Sequence, residues 1–254
     1  MRKVPYYLQI RDHLASQIET ATLRPNAKLP SERSLSEAFE ITRMTARQAL
    51  LQLEAEGLIH RLDRRGWFVS PPRLQYDPTL NISFTENVAS QGRVPGTVLL
   101  SQEQTTASAW DFTHLGVTAG EPVFLIRRMR LIDERPVLVE HLHVNANRCP
   151  GLLRLPLDQS LTKLLAEHYG IVERRARIRV RPTALTASQA EPLQVAAGTP
   201  GLYLTRTTYD QDDNVVEFDQ EFWRYDVLEV AIEVHTEVVA TAPILPPRRH
   251  LESA

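Results

Sequence analysis

The sequence predicts an α+β protein in two domains, a small and mostly helical one followed by a larger one of mixed strands and helices. Three observations predict it. Up to Gly57 the apolar residues recur with the period of a helix, whereas beyond Val123 runs of strand type alternate with helical ones. Between them lies Ser70-Pro71-Pro72-Arg73-Leu74-Gln75-Tyr76-Asp77-Pro78, whose prolines remove backbone donors and stiffen the chain as an interdomain linker does. A length of 254 residues also suits two domains better than one. The expected boundaries are 1–70, a linker at 71–81, a second domain at 82–240, and a disordered, Pro- and charge-rich tail at 241–254.

The first helix spans about residues 6–20, with Tyr7, Ile10, Leu14 and Ile18 on one stripe. Pro25 and Pro30 bracket a connection, after which the Ser31 hydroxyl can cap a second helix that has Glu32 in its first turn and Leu35, Ala38 and Phe39 on its apolar face. Thr42 caps a third, which turns Ala46, Ala49, Leu50 and Leu53 inward and stops at Gly57. The β-type runs Leu58–Arg61 and Trp67–Val69 then form a hairpin with a charged, glycine-containing tip. Three helices and a hairpin within about 70 residues are the plan of a winged helix-turn-helix.

In the second domain Val123–Ile132 and Val137–Val144 read as strands joined by a turn at Asp133–Pro136, and Ser160–Gly170 as a capped helix ending on glycine. Arg175, Arg177, Arg179 and Arg181 alternate with apolar residues, as on a strand with one wet face. A helix over Ser188–Ala197 and a hairpin of Gly201–Asp210 with Val215–Arg224 complete it.

Charge separates the two parts. Residues 1–75 hold 12 Lys and Arg against 8 Asp and Glu, and the remainder holds 17 against 23. A basic first domain on an acidic body points to a module that binds a polyanion, joined to one that does not touch it. No apolar run is long enough for a membrane helix, Met1–Pro5 lacks the apolar stretch of a secretory signal, and the single cysteine, Cys149, rules out an internal disulfide. These features predict a cytoplasmic protein without a membrane partner.

Arg43 and Arg47 stand four residues apart and so share the exposed face of the third helix, opposite Ala46 and Leu50. Guanidinium forks there suit guanine edges in a major groove. Thr42, Thr45, Ser31 and the N–H groups of the helix starts suit phosphates, and Arg64 and Arg65, with Gly66 at the hairpin tip, would reach the neighbouring backbone or minor groove. The stretch Lys28–Phe39, then Thr42–Leu50 and Leu53–Ile59, resembles the winged helix of the GntR family over a long, ungapped span. The resemblance implies DNA contacts for Arg33, Arg43 and Arg47. It departs at the wing, where Gly66-Trp67-Phe68-Val69 replaces the family's usual Gly-Thr-Phe-Val.

Residues 82–240 resemble the UTRA effector domain of the HutC-type GntR branch. The resemblance rests on Ser83-Phe84-Thr85-Glu86, Leu115-Gly116, Gly120, Arg128-Met129-Arg130, Pro136, Glu140, Ser160-Leu161, Tyr169-Gly170, Glu217 and Arg224-Tyr225-Asp226. It implies an antiparallel sheet with packed helices, the fold shared with chorismate lyase. Arg128 and Arg130 share a strand face and can hold a phosphate, phosphonate or carboxylate. Ser160 adds a hydroxyl at a helix start, while Glu140 and Glu217 can accept from an amine or hydroxyls; the alternative for this set is a structural Arg–Glu network. The resemblance places Ser83 among its marks and lines the pocket with Arg128, Arg130, Glu140, Ser160 and Glu217. Trp223 stands where sugar-phosphate binders of the branch have tyrosine. Arg64–Arg73 and Phe222-Trp223-Arg224 look most like regulators of phosphonate utilisation.

The expected function is a homodimeric repressor that reads two half-sites of double-stranded operator DNA and is released by a small anionic effector, a phosphonate such as 2-aminoethylphosphonate. A sugar phosphate or a histidine-pathway carboxylate are alternatives within that class. Outside it stand an enzyme of chorismate-lyase-like fold, a purely architectural DNA-binding protein, and a metal site at His141, His143 and Cys149; no catalytic residue, metal or cofactor is expected.

Overall fold

The computed structural model describes residues 4–62, 65–80, 82–173 and 175–234. Helices α1 (Tyr6–Glu19), α2 (Glu32–Ala38) and α3 (Arg43–Ala55) precede a hairpin of β1 (Ile59–Leu62) and β2 (Gly66–Val69), paired from Ile59↔Val69 to Leu62↔Gly66. Ile10 and Leu14 of α1, Leu35 of α2 and Ala46, Ala49, Leu50 and Leu53 of α3 close one core with Ile59, Trp67 and Val69. Of the apolar face expected on α2, only Leu35 is buried; Ala38 and Phe39 are exposed, because the helix ends at Ala38 before completing a second inward turn. Gly57 follows α3 at φ +76°, a conformation that a side chain would strain, and redirects the chain into β1.

The linker is not free. Leu74–Tyr76 forms β3, which pairs in parallel with β10 (Leu228–Val230), and Leu74 is buried. Within the segment 71–81, expected as an interdomain linker, Leu74 and Tyr76 carry apolar surface that the second domain covers.

That domain is built on an antiparallel six-stranded sheet in the order β4-β5-β6-β9-β8-β7. Its strands are β4 (Pro95–Thr106), β5 (Pro122–Ile132), β6 (Arg135–Asn145), β7 (Arg175–Ala184), β8 (Pro200–Tyr209) and β9 (Val215–Arg224). The turn between β5 and β6 is tighter than expected: Asp133 and Glu134 both take positive φ, so β6 starts at Arg135. Helices α4 (Phe84–Ser90), α5 (Ala109–Leu115), α6 (Leu161–Tyr169) and α7 (Ala187–Ala190) pack around the sheet. The helix expected over Ser188–Ala197 stops at Ala190, since Pro192 has no N–H to donate to the Ser188 carbonyl and the chain turns at Gln194, whose φ is positive. Arg175, Arg177, Arg179 and Arg181 are exposed on edge strand β7. One face of the sheet packs on α6 through Phe124, Ile126, Leu142 and Val144, and the other on α7 through Val139 and Phe222. The tail expected to be disordered lies outside the described residues.

Candidate DNA-binding surface and effector cavity

The start of α3 is fixed locally. Thr42 takes an extended backbone and its hydroxyl accepts from the Thr45 N–H at 3.2 Å, with the two hydroxyls 2.9 Å apart. Burial of Ala46, Ala49 and Leu50 then turns Arg43 and Arg47 to solvent on the opposite side. Ser31 caps α2 in the same way, accepting from the Ser34 N–H at 3.1 Å. The Arg33 guanidinium, one residue into α2, is exposed and pairs with Glu37 at 2.8 Å, a surface pair that a phosphate can displace at small cost.

Ser31 and Arg33 share one depression with Arg65 and Gly66 of the wing, together with Lys28 and Arg61. The fold thus brings the start of α2 to the hairpin tip, and it adds two cations that the sequence reading passed over. Arg61 stands over the Trp67 ring at 5.8 Å and Arg65 over Phe68 at 5.7 Å, so the aromatic wing residues support the basic ones. Arg64 lies outside the described residues.

The second site is a cavity on one face of the sheet. Side chains two apart on a strand share a face, and the register Arg128↔Glu140 and Glu140↔Glu221 carries that face across β5, β6 and β9. Arg128, Arg130, Glu140, Glu217, Asp219, Glu221 and Trp223 all line the cavity, with Arg206 from β8, Ser160 at the start of α6, Ser83 and Phe84 at the start of α4, and Tyr76 from β3. It offers about 80 Å³ of room, where one water needs roughly 10–15 Å³, so it fits a compact metabolite.

The cations are held differently. Arg128 is committed to the protein: its Nε donates to Glu140, and Nη1 donates to the carbonyls of Leu157 and Gln159, each at 3.1 Å. It is the structural Arg–Glu pair that the sequence left open, and it ties β5 to the loop before α6. Arg130 donates to Thr97 at 2.7 Å and stacks on Phe84 at 4.6 Å, while its buried Nε, 3.6 Å from Glu140, makes no hydrogen bond. Ser160 occupies the cap position of α6, but the expected capping bond is absent and its buried hydroxyl is unpaired. The first N–H groups of α6 lack intrahelical acceptors as at any helix start, so this corner offers donors to an anion. The Ser83 hydroxyl is instead occupied by Glu86 in a capping box.

The opposite wall is acidic. Glu217 accepts from Thr208 at 3.2 Å through one oxygen; the other is buried without a partner, and burial pushes this carboxyl up to about 7. Asp219 has an unpaired buried oxygen and is pushed well above its ordinary range by burial and by Glu140, Glu221 and Glu217. Burial likewise raises Glu221, which accepts from the Trp223 indole N–H at 2.6 Å. Arg206 donates to Tyr76 at 3.0 Å and lies 3.5 Å from Glu173.

Two family models cover most of the chain. Bacterial regulatory proteins of the gntR family match residues 6–69, and the UTRA domain matches residues 90–229. The chain belongs to the GntR family. The HTH-type transcriptional repressor NagR of Bacillus subtilis (strain 168) is 34% identical over 223 residues, which cover 88% of this chain and 92% of that protein. The HTH-type transcriptional repressor PhnF of Mycolicibacterium smegmatis is 32% identical over 85% of this chain and 87% of that one. The crystal structure of PhnF from Mycobacterium smegmatis matches with a TM-score of 0.64 at 30% identity, over 89% of this chain and 99% of that chain.

This GntR-family protein is therefore a transcriptional regulator and not an enzyme, with a helix-turn-helix domain and a UTRA domain. No helix among its described residues is long and apolar enough to cross a membrane. His141 and His143 point away from the cavity, on the other face of the sheet: His143 bonds Asp111 at 2.9 Å and His141 accepts from Arg127 at 3.1 Å. Cys149 is buried, which pushes its thiol up to about 12, and no metal-binding group of three such side chains occurs among the described residues.

Asp219, Glu221, Arg206 and Tyr76 escaped the sequence reading of the regulator's cavity. For the two acids the signal was present: Glu217, Asp219, Glu221 and Trp223 alternate, so a strand that points one of them into a cavity points all four there. The contact between the regulator's two domains was not legible. Tyr225, just past β9, donates its phenolic proton to the carbonyl of Glu54 in α3. Beside it Asp226 is buried between Arg224 and Arg135; burial would raise its carboxyl, but the two guanidiniums outweigh that and hold it at about 2.

Proposed function

We propose that this regulator is a homodimeric repressor that binds double-stranded operator DNA through α3, the start of α2 and the wing, and is released by a small anionic metabolite seated in the sheet cavity. The working compartment is the cytoplasm. The DNA contacts are Arg33, Arg43 and Arg47, with Ser31, Thr42 and Thr45 toward phosphates and Arg64, Arg65 and Gly66 at the wing. The effector contacts are Arg130, Ser160 and Glu217, while Arg128 and Glu140, bonded to each other, build the wall together with Ser83 and Trp223. A phosphonate such as 2-aminoethylphosphonate is the proposed effector.

One observation carries the sensor reading. Of six buried side-chain atoms without a partner among the described residues, four, on Arg130, Ser160, Glu217 and Asp219, line the same cavity. Unpaired buried polar atoms cost stability unless something supplies their bonds, so their concentration in one cavity marks a place made for a ligand. The names of NagR and PhnF support the repressor sign.

The test pairs a gel-shift assay on the protein's own upstream DNA with thermal melts against 2-aminoethylphosphonate, amino-sugar phosphates, urocanate and histidine. A ligand at 100 times its Kd stabilises by about 2.7 kcal/mol. A compound that raises the midpoint by several degrees and also releases the DNA establishes the sensor; an amino-sugar phosphate or urocanate doing so replaces the phosphonate. A stabilising compound that leaves DNA binding intact overturns the reading of release.

A further inference from the structure

We propose that the effector carries a positive charge opposite its anionic group, and that Asp219 is the residue that selects for it. This rests on the reading of the cavity as the effector site and goes beyond it, because the anionic corner at Arg130 and Ser160 places no demand on the other end of the ligand.

The charges around the cavity do not balance. Five carboxylates face it, Glu140, Glu173, Glu217, Asp219 and Glu221, against three guanidiniums, Arg128, Arg130 and Arg206; Tyr76 is the other titratable group. Arg128 is spent on Glu140, and Arg206 on Glu173 and Tyr76. Arg130 remains, 3.6 Å from Glu140, while among the described residues none of the three acids on β9 forms an ion pair. Glu221 is satisfied by the Trp223 indole, whereas Glu217 and Asp219 each keep one buried oxygen without a hydrogen bond. Asp219 lies between Glu217 and Glu221 on the strand, across from Leu142 on β6 and Arg206 on β8, but that guanidinium is engaged by Glu173 and Tyr76 and forms no ion pair with Asp219.

An ionised carboxylate offers only acceptors. Buried without a partner it must either hold its proton or meet a donor, and burial among other acids displaces Glu217 and Asp219 upward, in the direction of the first course. A purely anionic ligand would deepen the imbalance. One with an ammonium group about one small-molecule length from its anion would pair Arg130 and Ser160 at one end and Asp219 and Glu217 at the other. Binding then releases protons from the acidic wall, because the ammonium favours the ionised carboxylates.

Matched compounds decide it. Thermal melts of the full chain are run with 2-aminoethylphosphonate, 2-hydroxyethylphosphonate and ethylphosphonate, and with histidine against urocanate. In wild type the amine should bind at least about tenfold tighter than its partner compound, with proton release seen in calorimetry across buffers of different ionisation enthalpy. In Asp219→Asn the preference should vanish while the anion-only analogue binds as before. Equal shifts for all three phosphonates overturn the cation proposal and leave the anionic sensor standing. Shifts from histidine alone remove the phosphonate and keep the cation. If no compound binds, the ligand-free protein decides. Asp219→Asn should then match or exceed the wild-type melting point at pH 8, because an unpaired buried acid has been neutralised; a fall of many degrees makes Asp219 part of the scaffold and overturns the proposal.

Discussion

The hydroxyl of Tyr225 donates to the backbone carbonyl of Glu54, joining the segment just past β9 to the last turns of the helix that displays Arg43 and Arg47. Trp223, two residues earlier, lines the cavity, so a single stretch of backbone touches both the effector site and the recognition helix. Tyr225→Phe removes that bond and leaves both binding sites intact. Operator affinity without effector should change by no more than a few fold, whereas the effector's power to release DNA should fall by about fivefold or more, the scale of a 1 kcal/mol coupling. Gel shifts across an effector titration measure it; undiminished release would show that the signal travels elsewhere.

Arg43→Ala and Arg47→Ala act at the other end. Each should weaken binding to the operator by about 1–3 kcal/mol if it reads a base, with selectivity over random DNA falling in step. Effector-induced melting shifts should remain as in wild type. Unchanged operator affinity in both variants would remove α3 from the interface.

Arg128 and Arg130 should separate although they are two residues apart. Arg128→Ala strips Glu140 of its partner and frees the Leu157 and Gln159 carbonyls, at a cost of about 3–5 kcal/mol in stability. Arg130→Ala breaks fewer bonds within the protein and should cost less in urea unfolding, while abolishing the effector's melting shift. The reverse order of stabilities would contradict the division of labour described above.

The acidic wall makes stability depend on pH. Glu217 titrates at about 7 in the folded protein because of burial, against 4.5 ordinarily. Between those values the native state holds a proton that the unfolded chain has released, so stability declines as pH rises through this window and levels off above it. The decline should be on the order of 1–3 kcal/mol between pH 5 and pH 8. Glu217→Gln should make the decline shallower, leaving the part that Asp219 and Glu221 contribute; an equally steep slope in that variant would place the titrating group elsewhere.

Much of this was legible in the residues. Ser31 and Thr42 announced their helices because a hydroxyl just before an apolar stripe has a local job, and both caps form. Arg128 and Arg130 could be placed on one face by strand period alone. What the sequence hid depended on distant partners. Nothing local shows that Arg128 is saturated by carbonyls about 30 residues away, or that Ser160 keeps its hydroxyl unpaired at a helix start. Strand β4 was missed because it is an edge strand exposed over much of its length, so no alternation of apolar residues marks it. The pairing of β3 with β10 was hidden among prolines that read as a spacer.

That pairing changes how the molecule can be taken apart. Tyr76 sits on β3, between the two domains in sequence, yet its hydroxyl accepts from Arg206 and its ring closes one side of the cavity. The tether from which the DNA-reading head hangs is therefore also a wall of the chamber. An effector domain cut to begin after residue 81 would lose both Leu74 and Tyr76 and open its own binding site to water. The dissection that preserves a working receptor begins before Leu74, and the head cannot be swapped for another without carrying over the strand that the receptor has taken as its own.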